Sequence, residues 1–146
     1  MSVRIATPKD IRDLNYLLRE LQKEKPTYFS DVSDISDILK DGSSRVYVIE
    51  DESRIFGFSV ICESEREAEL QMVYIQRDKR GKGYGYELTR ATVESIKNKR
   101  IIAYVRPSNY EMRKILSKLG FKCEDEGDED WNRRKAVYVL EKSEDL

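Results

Sequence analysis

The chain has 146 residues, of which 39% are hydrophobic and 38% are charged, and its 27 basic and 28 acidic residues leave a net charge of −1. This composition predicts one domain with one core over residues 1–146, and the near-zero charge does not favour a nucleic acid as partner. The absence of histidine excludes Ser-His-Asp and Cys-His catalysis and histidine metal sites, so we expect no metal.

The first half of the chain is predicted to contain two helices and four strands. The strands cover 3–6, 45–50, 54–62 and 67–76, and the second and third form an antiparallel hairpin. Thr7 and Pro8 suit the start of a helix that ends at Lys25-Pro26. A shorter helix ends at Gly42. Both helices are indicated by apolar residues at helical spacing, namely Ile11, Leu14, Leu17, Leu18 and Leu21, then Val32, Ile35, Ile38 and Leu39.

The second half begins with a basic, glycine-containing loop over 77–85, followed by a helix over 86–97. An almost wholly apolar run at 100–105 predicts a buried strand. Ser108 with Glu111 forms a capping-box pattern for the next helix, which Gly120 ends. Strands follow from Phe121 and over 136–140. The fold class is therefore α/β, with one mixed sheet of about six or seven strands and helices on both faces.

A strand that leads through Arg80-Gly81-Lys82-Gly83-Tyr84-Gly85 into a helix has a physical use. The first N–H groups of a helix lack partners and attract anions, and glycines allow a ligand close to the backbone. Arg80 and Lys82 add positive charge, so the segment suits a pyrophosphate. The alternative is a solvated surface turn in which the glycines are needed only for the backbone conformation. The spacing is neither that of a Walker loop nor that of a dinucleotide fingerprint.

Two segments resemble the GNAT acetyltransferase family. Arg80-x-x-Gly83-x-Gly85, after a strand that ends in Val73-Tyr74-Ile75, is similar to its (Arg/Gln)-x-x-Gly-x-(Gly/Ala) signature. The second segment runs from Asn109 at the start of a helix to Lys118-Leu119-Gly120-Phe121. The resemblance implies the GNAT fold and acetyl transfer from acetyl-CoA to an amine.

The resemblance also implies where acetyl-CoA binds. The pantetheine arm would pair with the strand at Val73 and Ile75, which a bulge separates from its neighbour. The pyrophosphate would lie on the N–H groups from Gly81 to Tyr86, an N–H near Val73 would polarise the thioester carbonyl, and Asn109 would contact the arm. The implied cofactor-binding residues are Val73, Tyr74, Ile75, Arg80, Gly81, Lys82, Gly83, Tyr84, Gly85, Tyr86 and Asn109.

Glu69 is the predicted general base, because the histone acetyltransferase branch has a glutamate at a similar place on this strand. Even spacing keeps Glu69 on the face of Val73 and Ile75 unless a bulge intervenes. Glu67 shares that parity further out. A merely solvated Glu69, or a water chain in place of any single base, remains an alternative.

Leu116 occupies the position at which many GNAT members have a tyrosine acid. Tyr74 or Tyr104 can substitute for that acid, and the sequence selects neither. The departure at Leu116 also motivates an alternative function, a catalytically silent CoA-binding regulatory module.

The acceptor is predicted with less detail. We expect a protein or peptide amine, narrowly preferred over a small amine such as a polyamine, in a pocket shaped by residues 23–42. The acidic run 124–130 can attract a cationic acceptor or be a solvated loop, and Trp131 can pack on the acceptor or pin that loop.

Location and assembly are predicted from what the sequence lacks. No apolar run approaches the roughly 20 residues of a membrane helix, and no signal peptide is visible. Cys62 and Cys123 favour reduced thiols over a disulfide. We therefore expect a cytoplasmic protein that contacts neither membrane nor nucleic acid. It is expected to be a monomer or a homodimer, the latter formed through the terminal strand.

Overall fold

The computed structural model describes residues 1–128 and 134–142, which form seven strands and four helices in the predicted order. The strands are β1 (Ser2–Ile5), β2 (Ser44–Asp51), β3 (Arg54–Glu63), β4 (Glu67–Ile75), β5 (Arg100–Val105), β6 (Lys122–Asp125) and β7 (Ala136–Leu140). The helices are α1 (Ile11–Glu24), α2 (Ser36–Lys40), α3 (Tyr84–Glu94) and α4 (Tyr110–Lys118), with short 3-10 turns at Pro8–Asp10 and Arg77–Lys79.

The strands form one sheet in the order β1-β2-β3-β4-β5-β7-β6. Neighbouring strands are antiparallel except for β4 and β5, which are parallel. Helices α1 and α2 pack on one face, and α3 and α4 pack on the other. The predicted fold class is confirmed.

The apolar stripe of α1 anchors the first face of the sheet. Leu14, Leu17, Leu18 and Leu21 are at most 3% exposed and pack against β2, β3 and β4. Each such burial contributes on the order of 1.5–3 kcal/mol. Two polar side chains of α1 fix the segment that follows it. Gln22 Nε2 donates to the carbonyls of Phe29 and Val32 at 2.8 Å each, and Asn15 Oδ1 accepts from the Ile35 amide at 2.7 Å.

The opposite face is covered by α3 and α4. Leu88 of α3 and Leu116 of α4 are completely buried there. Thr92 of α3 shares a buried 2.7 Å hydrogen bond with Ser59 of β3, which locks the helix onto the sheet. The sheet and α3 therefore present a rigid frame to the loop that connects β4 with α3.

The parallel pairing of β4 with β5 covers only part of both strands. It joins Glu67–Leu70 to Arg100–Ala103 and then stops. At that point β4 bulges, because Met72 pairs with Val60 and Leu70 with Ile61, so that Gln71 is an extra residue. Bulges bend the strand that carries them. Beyond Gln71, β4 and β5 diverge and leave a gap in the middle of the sheet.

Some boundaries differ from prediction because capping decides them. Helix α3 begins at Tyr84 because Gly83, in the left-handed region at φ 86°, serves as its N-cap. Helix α4 is capped by Asn109, whose side chain accepts from the Met112 amide at 3.2 Å. The predicted capping box of Ser108 with Glu111 is therefore wrong, since the helix starts one residue later.

Candidate functional site

A cleft of about 210 Å³ occupies the gap between β4 and β5. Residues 70–73 of β4 and 103–106 at the end of β5 form its two walls. The segment 27–29 after α1 borders it on one face of the sheet, Asn109 and Met112 of α4 border it on the other, and Lys135 completes the lining. The cleft thus connects the two faces of the sheet.

The edge of β4 presents backbone groups to this cleft. The Gln76 amide donates to the Phe56 carbonyl of β3 at 2.8 Å. Backbone groups alternate in direction along an antiparallel strand, so those of Val73 and Ile75 point away from β3 and toward the gap. The Ile75 carbonyl accepts from Arg80 Nε at 2.8 Å, whereas the pairing of β4 with β5 ends before Val73 and leaves both of its outward groups without a partner among the described residues.

The loop after β4 presents a row of open amides. None of the six N–H groups from Gly81 to Tyr86 donates a hydrogen bond to another described residue. Gly81 and Gly83 have φ of 78° and 86°, and a Cβ added to either would meet nothing within 4 Å. Open amides at a helix start, under free space, form a concave site for an anion.

The two basic side chains on either side of Gly81, Arg80 and Lys82, differ in their surroundings. Arg80 donates through Nη2 to Glu24 Oε2 at 2.8 Å, and its guanidinium lies 5.4 Å from the centre of the Tyr74 ring. Its charge is therefore paired with the end of α1. Lys82 is exposed and has no ion-pair partner in the described part of the chain, so it adds an unpaired charge beside the amides.

The side chains of Tyr84 and Tyr86 have packing contacts. The Tyr84 ring contacts Phe56 edge to face at 4.9 Å, and Lys118 Nζ lies 5.0 Å from the centre of the Tyr86 ring. A Cβ at Gly85 would lie 3.5 Å from Ile115, which is ordinary contact. These three positions therefore offer their backbone, rather than their side chains, to the anion site.

Glu69 lies on the other face of β4 from the one that even spacing predicts. Ala68 and Leu70, on either side of it, belong to the core under α3 and α4, whereas Met72 belongs to the core under α1. The Gln71 bulge reverses the parity, so Glu69 lies on the face of Met72 and opposite Val73.

The environment of Glu69 changes its acidity. The carboxyl is half-buried, one residue before the cleft wall at Leu70. Burial raises its pKa, the positive charge of Lys135 opposes this rise, and the neighbouring Glu67 adds to it. Glu67 itself is exposed. Glu69 is thus the carboxylate of this strand that is better suited to accept a proton near neutral pH.

The two tyrosine candidates for the general acid differ in their exposure. Tyr74 is 5% exposed, and burial together with a hydrogen bond to Glu24 raises its pKa, which makes it a poor proton donor. Tyr104 is 48% exposed and lines the cleft. Leu116 is fully buried in the core and has no polar atom to offer. Asn109 also lines the cleft, but its carbonyl oxygen is engaged in the helix cap.

The cleft contains a cation that the sequence analysis missed. Arg106 Nη2 donates to Thr27 Oγ1 at 2.6 Å, and its guanidinium stacks on Tyr28 at 4.7 Å from the ring centre. A local signal was present, because Arg106 directly follows a buried strand and precedes Pro107. Its partners on the α1–α2 segment are distant in sequence and gave no such signal.

The acidic run is largely neutralised where it is described. Glu124 pairs with Arg100 at 3.1 Å, Asp125 pairs with Arg134 at 3.3 Å, and Glu126 pairs with Arg113. This pairing removes most of the negative field expected to attract a cation. Residues 129–130 and Trp131 lie outside the described residues.

The described ranges 1–128 and 134–142 contain no group of three or more histidine, cysteine or acidic side chains arranged to hold a metal ion. They also contain no helix long and apolar enough to cross a membrane.

The sequence matches the Acetyltransferase (GNAT) family over residues 11–121. No curated protein matches it. Among solved structures, the chain is similar to YncA from Salmonella typhimurium with its cofactor acetyl-CoA, with a TM-score of 0.75 and 16% sequence identity. The match covers 100% of this chain and 96% of YncA. Aminoglycoside 6'-acetyltransferase type Ii has a TM-score of 0.73 at 17% identity, with 97% of each chain covered.

A spermidine N-acetyltransferase chimera from Vibrio cholerae and hSSAT has a TM-score of 0.69 at 19% identity, and covers 98% of this chain and 96% of its own. At these identities the structural likeness establishes the fold alone, and the sequence match carries the family.

Proposed function

Because the chain belongs to the GNAT acetyltransferase family, and is therefore an acyl-CoA-dependent N-acetyltransferase, we propose that it acetylates an amine by direct attack at the cleft between β4 and β5. Residues 1–146 act as a single domain in this proposal. One observation carries it: the unpaired edge of β4 leads directly into six open amides at the start of α3.

The residues present fit acetyl-CoA. The amides from Gly81 to Tyr86 would hold the diphosphate, since none of the described side chains covers the two left-handed glycines of the loop. Lys82 would add charge, and the outward carbonyl of Val73 would bind the pantetheine arm as an added strand does. When bound, acetyl-CoA supplies an activated acetyl thioester.

Three groups of the chain would act on the reacting atoms. Glu69 accepts a proton from the acceptor amine, and the burial that raises its pKa brings it closer to that task. The Val73 amide donates a hydrogen bond to the acetyl carbonyl oxygen. Tyr104, rather than the buried Tyr74, returns a proton to the leaving sulfur, because its side chain is exposed at the cleft.

The charge of the side chains that line the cleft favours some classes of acceptor over others. Arg106 and Lys135 are the charged side chains among its described lining, and both are cationic. A polyamine would be repelled there, even though one protein of similar fold is a spermidine N-acetyltransferase. This supports the protein or peptide amine as acceptor over a polyamine.

The test is a screen for thiol release from acetyl-CoA across peptides, amino acids, aminoglycosides and polyamines. We expect turnover with at least one acceptor and a drop of roughly 100-fold or more in kcat for Glu69→Gln, as loss of general-base catalysis produces. Glu67→Gln is the matched control on the same strand. A rise in melting temperature with CoA but no turnover on the whole panel would instead support the catalytically silent module.

A further inference from the structure

Arg106 differs from every comparable arginine in the described chain. Six described arginines are half-buried, and five of them have a carboxylate partner within 4.0 Å. Those five are Arg4, Arg45, Arg90, Arg100 and Arg113. Arg106 has no carboxylate partner among the residues that the structure describes. Partial burial of a guanidinium costs free energy that an ion pair normally offsets, so Arg106 is left for an external anion.

The guanidinium of Arg106 is held in a fixed orientation. Tyr28 supports its plane at 4.7 Å, and Thr27 Oγ1 accepts one of its N–H groups at 2.6 Å. The segment that carries both residues is itself fixed by Gln22, which donates to the Phe29 carbonyl. Nε, Nη1 and the second N–H of Nη2 have no partner among the described residues. Two neighbouring N–H groups on one edge of a planar guanidinium match the two oxygens of a carboxylate.

Arg106 also lies at a useful place in the cleft. It follows the end of β5, and the segment 27–29 that supports it belongs to the face of α1. The open amides lie at α3, on the opposite face. Glu69 shares the α1 face, and Lys135 is close enough to influence its charge. An acceptor that reaches Glu69 from this face therefore meets two cations.

Resting on the proposed function, we propose that the acceptor carries a carboxylate in addition to its amine, and that Arg106 binds this carboxylate. The amine then lies toward Glu69, while the carboxylate is held by the stacked guanidinium. The acceptor class is thus amino acids, ω-amino acids or short peptides with a free carboxylate, rather than polyamines or amino sugars.

The test compares matched acceptors that differ only in this group. Thiol release is measured with amino acids, ω-amino acids and dipeptides, and with the carboxamide of each. The variants are Arg106→Gln and Arg106→Lys, with Arg12→Gln, an exposed arginine of α1, as control. We expect Arg106→Gln to lower kcat/KM for the acids by roughly 10- to 100-fold, as loss of a charged hydrogen bond does. The carboxamides and the KM of acetyl-CoA should not respond, and Arg106→Lys should restore part of the loss.

Two results would overturn the inference: carboxamides that are used as well as the acids, or an Arg106→Gln variant that raises the KM of acetyl-CoA instead of the acceptor's. Absence of thiol release from every acceptor would refute the proposed function, which is a separate failure. In that case the carboxylate site is tested by comparing the melting-temperature shifts caused by N-acetyl amino acids with those caused by their carboxamides. A larger shift with the acids, lost in Arg106→Gln, supports the carboxylate site, and equal shifts refute it.

Discussion

Glu24 provides the sharpest test of how α1 fixes the loop between β4 and α3. It is the last residue of α1, its side chain is 17% exposed, and it accepts hydrogen bonds from Arg77 at 3.1 Å and Arg80 at 2.8 Å. Burial alone would raise its pKa, but the bonds from Arg80, Tyr74 and Arg77 outweigh burial and lower the pKa from 4.5 to about 2. At about 1.4 kcal/mol per pKa unit, the shift corresponds to at most about 3 kcal/mol of stability for the charged form, and solvent around the exposed side chain of Arg77 reduces it.

The change to make is Glu24→Gln, which keeps the shape of the side chain and removes its charge. The folded-state pKa lies below the unfolded value, so the stabilisation is fully present above about pH 4.5 and is lost as the pH falls toward 2. We expect Glu24→Gln to lower the free energy of unfolding by about 2–3 kcal/mol at pH 7. The difference from wild type should shrink as the pH falls from 5 to 3.

Urea unfolding at pH 7, 5, 4 and 3 measures this difference. Glu94→Gln is the matched control, because Glu94 pairs with Arg90 on the exposed surface of α3, where such a pair contributes about 0.3–0.5 kcal/mol. The reasoning is refuted if Glu24→Gln costs no more than the control at pH 7, or if its cost does not depend on pH. Acetyl-CoA affinity should fall with stability, since Arg80 loses the partner that fixes the loop.

Three further predictions concern single positions. Gly83→Ala should cost about 1 kcal/mol because of its left-handed φ of 86°, yet weaken acetyl-CoA binding by more than that, as titration calorimetry can measure. Gly57→Ala should lower the melting temperature more than Gly83→Ala does, since its Cβ would lie 2.7 Å from the Tyr74 carbonyl oxygen. A fall no larger than that of Gly83→Ala would contradict the packing described. The acidic limb of the kcat/KM profile should lie above pH 4.5, because the pKa of Glu69 is raised, and it should be absent in Glu69→Gln; a limb unchanged in the variant would exclude this carboxylate as base. Asn109→Ala should cost about 1 kcal/mol in chemical unfolding through loss of the cap, whereas Ser108→Ala should cost far less.

Local patterns predicted the elements of this chain well. Apolar residues at spacings of three and four gave α1 and α2, and the apolar run 100–105 gave a central strand. The amides of the glycine loop were predictable for the same reason, because a helix start and its glycines are adjacent in sequence. Each of these features depends on residues within a few positions of one another.

Features that depend on distant partners were not predictable. The face of Glu69 is set by the register of β4 with β3, through the extra residue Gln71. The charge of Arg80 is paired by Glu24, 56 positions away, and Arg106 is held by Thr27, 79 positions away. A pattern within one segment does not show which residues 56 or 79 positions away will be its partners. The pairing of charges around the cleft could therefore be read only from the folded chain.

Within residues 1–128 and 134–142, only four residue pairs, Glu67–Leu70 with Arg100–Ala103, join the first four strands to the last three across the sheet. Beyond this short seam no pairing holds β4 to β5, so the backbone groups of β4 that face the crevice are left for a ligand or for water. The same seam gives an exchange signature: the Val73 amide should take up deuterium rapidly in the free protein and become protected once the crevice is filled.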